Sequence, residues 1–214
     1  MIKDNLLKIN SRINSVDHKH QVTLIAVSKT RSVDEVRVAL DAGQIHFGEN
    51  YLQEALEKIE LLQDKDIVWH FIGPIQSNKT PKIAKNFDWV HSVDRIKIAE
   101  RLNQQRPKVL GKLNVLLQVN IDNEDTKSGL FVDEIEEIVN QLDNLTNICL
   151  RGFMCIPRPD NSADSYKRMA KIMTKYPTLD TLSMGMSADM EEAIANGATL
   201  VRIGTDIFGK RMQK

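Results

Sequence analysis

The feature that most constrains the fold is the alternation of short apolar runs with longer amphipathic runs along the chain. Eight runs of four to seven residues have the apolar, β-branched composition that is typical of strands buried on both faces. Amphipathic segments with helical spacing separate them, and this alternation predicts a parallel sheet covered by helices. The expected strands are 22–27, 45–48, 68–72, 89–92, 114–120, 148–154, 181–184 and 200–203.

Eight such units fit a closed (β/α)8 TIM barrel, and an open doubly wound sheet is the alternative. Residues 2–16 predict one extra amphipathic helix before the first strand, with an apolar side formed by Leu6, Leu7, Ile9, Ile13 and Val16. The segments 33–42, 51–62, 78–86, 95–106, 132–142, 162–175, 188–196 and 206–210 are the other expected helices. No linker interrupts the pattern, so we expect a single α/β domain over residues 1–214.

Composition argues against several classes of partner. The 29 Lys and Arg residues balance 29 Asp and Glu residues, so no excess positive charge favours nucleic acid or an anionic membrane. No run has the length of a bilayer span or the core of a signal peptide. Cys149 and Cys155 lack metal or redox spacing, and no histidine motif suggests a metal site. We therefore expect a cytoplasmic protein with reduced, buried thiols and, given short loops and no spare apolar patch, a monomer.

Lys29 lies just after the carboxyl end of the first expected strand, at the end of the run from Val22. At the mouth of a parallel sheet a lysine is partly desolvated, which disfavours its ammonium form. The neutral amine can attack an aldehyde and form a Schiff base. Because a lone lysine at a strand end is usually just solvated, this interpretation needs support from another part of the chain.

That support comes from the turns after the last two strands. Ser187 follows the seventh strand, and Gly204 and Thr205 follow the eighth. Such residues let backbone N–H groups approach an anion, and their hydroxyls add donors. In (β/α)8 barrels these two loops often form the phosphate site. Each turn alone would be unremarkable, but both together with Lys29 predict a ligand that carries an aldehyde and a phosphate.

Other strand ends add polar candidates. Asn50 follows the second strand and either caps the next helix or points its amide at a ligand. His70 lies within the third strand, as a core residue or a ligand contact. Lys127 lies in the polar loop 120–129, which is either simply solvated or a lid over the site. Arg202 precedes Gly204 in the eighth strand.

An amine, an anion site and an arginine together suit pyridoxal 5′-phosphate (PLP), with its aldehyde on Lys29 and its phosphate on Ser187, Gly204 and Thr205. Asn50 and His70 are further candidate cofactor-binding residues. Two alternatives remain open at this point: a PLP-dependent amino-acid racemase, and an aldolase that uses Lys29 without a cofactor.

Over residues 24–211 the chain resembles the PLP homeostasis proteins, also called proline synthase co-transcribed bacterial homologues. The resemblance is carried by Ala-Val-Ser-Lys29-Thr, Phe-Gly-Glu-Asn50-Tyr, Trp-His-Phe-Ile-Gly73-Pro-Ile-Gln-Ser-Asn-Lys79, Lys127-Ser-Gly129, Ser-Met-Gly-Met-Ser187-Ala-Asp and Val-Arg202-Ile-Gly-Thr205-Asp-Ile-Phe-Gly209. It implies a fold-type III PLP-binding barrel like the N-terminal domain of alanine racemase, with Lys29 as the Schiff-base lysine. It further implies that Arg202 faces the pyridine nitrogen and that Lys127 is an auxiliary cofactor-binding lysine.

The same resemblance implies no turnover reaction. A cationic arginine at the ring nitrogen would keep that nitrogen unprotonated, which makes the ring a poorer electron sink. We also expect no second domain that could contribute a base. The expected function is a carrier or buffer in PLP homeostasis that binds PLP vitamers, with PLP-dependent apoenzymes as candidate recipients.

Overall fold

The computed structural model describes residues 1–18 and 20–210. Eight parallel strands form a closed barrel in chain order. The strands are β1 Thr23–Val27, β2 His46–Glu49, β3 Val68–Phe71, β4 Trp89–Val93, β5 Leu113–Val119, β6 Ile148–Cys155, β7 Thr181–Ser183 and β8 Leu200–Ile203. Pairing of β8 with β1, from Thr23 opposite Leu200 to Ala26 opposite Ile203, closes the sheet. The TIM-barrel prediction is therefore confirmed, and the open-sheet alternative is wrong.

Helices connect the strands and cover the outside of the barrel. They are α1 Ile2–Ser15, α2 Val33–Asp41, α3 Leu52–Leu61, α4 Thr80–Asn86, α5 Ile96–Gln105, α6 Ile135–Leu142, α7 Ser162–Met173, α8 Met190–Ala195 and α9 Thr205–Phe208. Local sequence sets several of their ends. Ser32 and Glu35 form a capping box that starts α2, and Gly209, at φ 85°, ends α9. The segment predicted as a helix from residue 132 instead begins with a 3-10 turn over Val132–Glu134.

The extra N-terminal helix is present and belongs to the outer layer. Leu6, Ile9 and Ile13 are buried, Val16 is partly buried against the core, and α1 packs against α2, α8 and α9. The placement of Leu7 on the apolar side is wrong, because its side chain is 59% exposed. The four-residue helix α9 lies beside α1, and α1 contacts both α2 and α8 in the outer layer. The first and last helices of the described chain therefore pack against each other.

The barrel interior contains a small apolar layer. Ile25, Leu116, Met154 and Leu200 pack there with Trp89, while the larger core lies between the strands and the helices. Both strand faces are thus buried, which explains the continuous apolar runs in the sequence.

The structure bears on three features expected from composition: metal ligands, membrane spans and thiols. Within the described ranges, no group of three His, Cys, Asp or Glu residues is arranged to hold a metal ion. In the same part of the chain no helix is long and apolar enough to cross a membrane. Both cysteines are free thiols, but only Cys155 is buried; Cys149 is half-buried near the start of β6. The single-domain prediction for residues 1–214 stays a prediction, and its residues 19 and 211–214 lie outside the described ranges.

Candidate functional site

A cavity of about 360 Å³ opens at the carboxyl ends of six strands, which are β1, β2, β3, β6, β7 and β8. This volume lies within the range of roughly 300–1,000 Å³ that is usual for small-molecule sites. The cavity wall includes six of the residues singled out in the sequence, namely Lys29, Asn50, Ser187, Arg202, Gly204 and Thr205, together with Val27, Arg31, Ile72, Ile156, Met186 and Ala188. The amine after the first strand and the two small-residue turns therefore face the same space.

Lys29 lies in a tight turn directly after β1. The N–H of Arg31 donates to the carbonyl of Ser28 at 3.0 Å, so Lys29 and Thr30 form the middle of the turn. Thr30 has a φ of 63°. A β-branched residue rarely adopts this left-handed conformation, because its side chain crowds the backbone. Lys29 is half-buried and is thus presented to the cavity by a strained turn.

An ionic cluster lies behind this turn, formed by Ser28, Glu49, Glu54 and Lys58. The Lys58 ammonium donates to Glu49 Oε1 at 2.7 Å, to Glu54 Oε1 at 2.6 Å and to the carbonyl of Ser28 at 2.7 Å. Glu49 Oε1 also accepts from the Ser28 hydroxyl at 2.6 Å, and Glu54 Oε1 accepts from the N–H of Thr30 at 2.6 Å. Every bond of the cluster to the turn therefore reaches a residue that neighbours Lys29.

Burial sets the electrostatics of the ionic cluster. Glu49 is fully buried and Lys58 is 3% exposed. Desolvation raises the pKa of the Glu49 carboxyl, although Lys58 and Ser28 pull it in the opposite direction. Glu49 Oε2 is buried without a hydrogen-bond partner among the described residues. Such an arrangement is costly, because each charge has been removed from water.

Arg202 forms part of the cavity wall on the β8 side. One guanidinium nitrogen donates to the Ser183 hydroxyl oxygen at 2.7 Å, and the other donates to the carbonyl of Cys155 at 3.0 Å. Arg202 is 6% exposed, and its burial lowers the pKa of the guanidinium, which nevertheless remains charged. The two bonds hold the planar cation in one orientation against the cavity.

Behind Arg202 an imidazole chain crosses the barrel interior, formed by His46, His70, His91 and Ser183. His46 Nδ1 lies 3.0 Å from His70 Nε2, His70 Nδ1 lies 2.9 Å from His91 Nε2, and His91 Nδ1 lies 2.9 Å from Ser183 Oγ. His70 and His91 are fully buried. Desolvation holds the pKa of each well below the usual value. Interaction with the neighbouring imidazoles of His91 and His46 lowers the pKa of His70 further, and the cation of Arg202 does so for His91.

Arg202 fixes the direction of the bonds in the imidazole chain. Arginine can only donate, so the Ser183 oxygen accepts from it and the Ser183 proton is available to His91 Nδ1. His91 then donates from Nε2 to His70 Nδ1, and His70 donates from Nε2 to His46 Nδ1. We assign this set of neutral tautomers because it gives each of the three contacts one donor and one acceptor; the reverse direction would leave the buried Ser183 proton without one of these partners.

His70 therefore does not line the cavity. Its position between His46 and His91 gives no support to direct contact between His70 and a ligand. Sequence reasoning also missed His46, His91 and Ser183 as one unit. The sequence contains a sign of this unit, because three consecutive strands each carry a histidine. What the sequence does not show is that all three side chains point to the barrel interior.

The small-residue turns are held from outside the barrel. Asp189 accepts from the N–H of Met186 at 2.7 Å and from the Tyr166 hydroxyl at 2.8 Å, which fixes the turn that carries Ser187. A Cβ on Gly204 would lie 3.3 Å from the carbonyl oxygen of Val27. Glycine therefore also lets the turn after β8 approach the end of β1 closely.

Arg12 of α1 links both turns. Its guanidinium bonds to Glu191 at 2.6 Å, to Asp206 at 3.1 Å and to the carbonyl of Ser187 at 3.3 Å. The extra N-terminal helix thus braces the region where an anion is expected, a connection that the distance of 175 residues between Arg12 and Ser187 conceals in the sequence.

Asn50 lies between two cavities. A neighbouring cavity of about 330 Å³ shares Asn50, Ile72 and Ile156 with the first. Asn50 does not cap a helix, since α3 begins after Tyr51 without a side-chain cap. Its Oδ1 atom is buried and has no hydrogen-bond partner in the described part of the chain. Asn50 therefore lines both cavities with a side-chain oxygen that no described residue satisfies.

Lys127 lines the second cavity and not the first. Its ammonium pairs with Glu124 at 2.5 Å and donates to the carbonyls of Ile156 and Pro157 at 3.3 and 3.2 Å. The Asn120 side chain bonds to the backbone of Glu124 and Lys127, so this part of the predicted lid is a folded turn.

Comparisons with known proteins support the architecture and the family. The pyridoxal phosphate homeostasis protein of Pseudomonas aeruginosa is 49% identical over 220 residues, covering 98% of this chain and 96% of the relative. The protein of the same name in Escherichia coli is 45% identical over 226 residues, covering 98% and 97%. The structure of PipY from Synechococcus elongatus with PLP bound has a TM-score of 0.85 and 34% identity, covering 98% of this chain and 100% of that chain.

The resemblance stated from the sequence motifs is thereby confirmed. The model of the family described as alanine racemase, N-terminal domain matches residues 2–212. Because this match covers nearly the whole chain, the protein belongs to the alanine racemase N-terminal domain family.

Proposed function

We propose that this protein binds PLP reversibly in the first cavity, through a Schiff base to Lys29, and serves as a carrier or buffer in PLP homeostasis. The observation that carries the proposal is that Lys29, Arg202 and the Ser187 and Thr205 turns line one cavity. The names of the relatives and the PLP-bound PipY structure support the choice of ligand.

The residues present fit the chemical groups of PLP. Lys29 supplies the amine for the aldehyde, and Ser187, Gly204 and Thr205 supply hydroxyl and backbone donors for the phosphate. Arg202 supplies a donor for the ring nitrogen. Asn50 Oδ1, buried without a partner among the described residues, fits a ligand donor, because buried acceptors are normally satisfied.

Storage is favoured over turnover by the residues around the cavity. When bound, PLP supplies an electron sink for reactions at an attached amine. The cation of Arg202 disfavours a proton on the ring nitrogen, and arginine cannot relay a proton from the imidazole chain. Within the described ranges, the titratable side chains that line the cavity are Lys29, Arg31 and Arg202. With Lys29 engaged, the wall offers neither a carboxylate nor an imidazole as a general base.

The remaining sequence expectations become parts of this proposal. His70 acts by supporting Arg202 through the imidazole chain. Lys127 is a weaker, auxiliary PLP-binding residue in the second cavity. We propose a cytoplasmic monomer that exchanges PLP vitamers, with PLP-dependent apoenzymes as recipients, and that has no catalytic activity of its own.

Visible absorbance of the purified protein with PLP tests the function. We expect a yellow band that is absent in Lys29→Ala and retained in the matched variant Lys127→Ala. Incubation with L-alanine should yield no D-alanine. Sustained D-alanine formation that is lost in Lys29→Ala would replace the carrier with a racemase, and a colourless wild-type protein would refute PLP binding through Lys29.

A further inference from the structure

We propose that Glu54, with Glu49 and Lys58, is a positioning residue for Lys29: the ionic cluster holds the strained Lys29 turn in the one conformation that presents the amine to the cavity. This inference rests on the proposed function of Lys29. It also explains what orients the Lys29 amine toward the cavity.

The turn requires such support. Thr30 has a φ of 63°, and it directly follows Lys29. A threonine released from restraint would leave the left-handed region, and the peptide that joins it to Lys29 would rotate with it. Strained residues of this kind persist only where the surroundings impose them, and they concentrate at functional sites.

The restraints come from the ionic cluster and reach both sides of Lys29. Glu54 accepts from the Thr30 N–H at 2.6 Å on one side. Lys58 donates to the Ser28 carbonyl at 2.7 Å on the other, and Glu49 accepts from the Ser28 hydroxyl at 2.6 Å. The same Lys58 ammonium ties Glu49 to Glu54. The cluster therefore clamps the residues before and after Lys29.

Stability alone does not account for the ionic cluster. Two carboxylates and one ammonium are held behind the turn, with Glu49 fully buried and Lys58 3% exposed. Buried ion pairs often stabilise a fold no better than apolar residues of similar size. Apolar residues in place of Glu54 and Lys58 could not form the directional hydrogen bonds to the Thr30 N–H and the Ser28 carbonyl.

Two ligands separate positioning of the amine from general integrity of the site. PLP reacts with an amine, whereas pyridoxine 5′-phosphate carries an alcohol in place of the aldehyde and cannot. Calorimetric titration compares both ligands on the wild-type protein, on Glu54→Ala, and on Glu57→Ala as a matched control, since Glu57 is an exposed glutamate of the same helix.

We expect Glu54→Ala to weaken PLP binding by about tenfold, the factor that corresponds to the loss of one charge-assisted hydrogen bond. Affinity for pyridoxine 5′-phosphate should change by less than about twofold, which also shows that the variant is folded. Glu57→Ala should alter neither affinity. Adding Thr30→Gly to Glu54→Ala should recover most of the lost PLP affinity, because glycine adopts a positive φ without strain.

Unchanged PLP affinity in Glu54→Ala would overturn the inference, and so would an equal loss for both ligands or a failure of Thr30→Gly to rescue. These results leave the Schiff base on Lys29 intact. Absence of a borohydride-stable PLP adduct on Lys29 of the wild-type protein is a different result, which removes the proposed function and this inference together.

Discussion

Two buried polar networks lie behind the cavity, one beside Lys29 and one beside Arg202, and they differ in chemistry. The ionic cluster behind Lys29 holds full charges within one βα unit and its neighbouring strand. The imidazole chain behind Arg202 holds neutral rings from three adjacent strands and ends on the single cation of Arg202. One network restrains the backbone around an amine; the other restrains a side chain.

The two networks also respond to protons with opposite sign. The raised pKa of Glu49 means that its contribution to stability is present below the unfolded carboxyl pKa and is lost as the pH rises through the folded value. The lowered pKa values of His70 and His91 mean that their contribution is present above the unfolded imidazole pKa and is lost as the pH falls below it. The Glu49 contribution of the ionic cluster is therefore lost as the pH rises, and the contribution of the imidazole chain is lost as the pH falls.

Truncating the ionic cluster should have the largest effect on stability. Lys58→Met leaves Glu49 buried without its cation, and we expect the free energy of unfolding to fall by about 3–5 kcal/mol. Chemical denaturation measures the free energy of unfolding of both proteins. Lys65→Met removes a lysine that is 45% exposed beside Asp64, and it should cost less than about 0.5 kcal/mol. Equal losses in the two variants would contradict the importance of burial.

Acid should act on the imidazole chain. The usual imidazole pKa is 6.5, and the folded values of His70 and His91 lie well below it, so unfolded chains take up protons first as the pH falls. We expect these two groups to cost the fold about 2–3 kcal/mol between about pH 7 and about pH 5.5. Urea unfolding at both pH values tests this, and His70→Asn should show a smaller pH-dependent loss. An identical loss in His70→Asn would assign the acid sensitivity to other groups.

A change in the turn that we propose binds the phosphate should alter PLP affinity without disturbing either network. Thr205→Val removes a hydroxyl at an exposed position, and we expect PLP affinity to fall about tenfold, near 1.5 kcal/mol, with the midpoint of unfolding unchanged. Thr205→Ser keeps the hydroxyl and should bind as the wild-type protein does. Wild-type affinity in Thr205→Val would remove Thr205 from the phosphate site.

The smallest effect should come from a charged network at the surface. Arg12 is 38% exposed and pairs with Glu191 and Asp206. Arg12→Gln should lower the free energy of unfolding by less than about 1 kcal/mol, and less still in high salt, because water and ions screen the pairs. A loss as large as that of Lys58→Met would mean that α1 and the two turns form a more cooperative unit than the contacts indicate.

The sequence predicts the strands and helices of the barrel well, because strands that are buried on both faces appear as continuous apolar runs. Lys29 and the Ser187, Gly204 and Thr205 turns are also visible, since their residue types are informative at strand ends. Lys58 shows why the networks are not visible. Four residues after Glu54 in a helix, it has the spacing of an ordinary surface pair, yet it is 3% exposed. Only the packing of α3 against the end of β1 reveals its role.

The same limit applies to His70. Its strand position predicts a core residue or a ligand contact, and the structure places it between two other imidazoles, away from the cavity wall. Whether His70 is a core residue or a ligand contact depends on which face of each strand carries the histidine. Closure of the barrel determines which face points to the interior.

Borohydride reduction of the PLP-loaded protein, followed by digestion and mass spectrometry, tests the central claim most directly. The account predicts one dominant pyridoxyl adduct, on the peptide that contains Lys29, with any adduct on Lys127 appearing only at higher PLP concentration. A dominant adduct on Lys127 or on another lysine, with Lys29 unmodified, would contradict it.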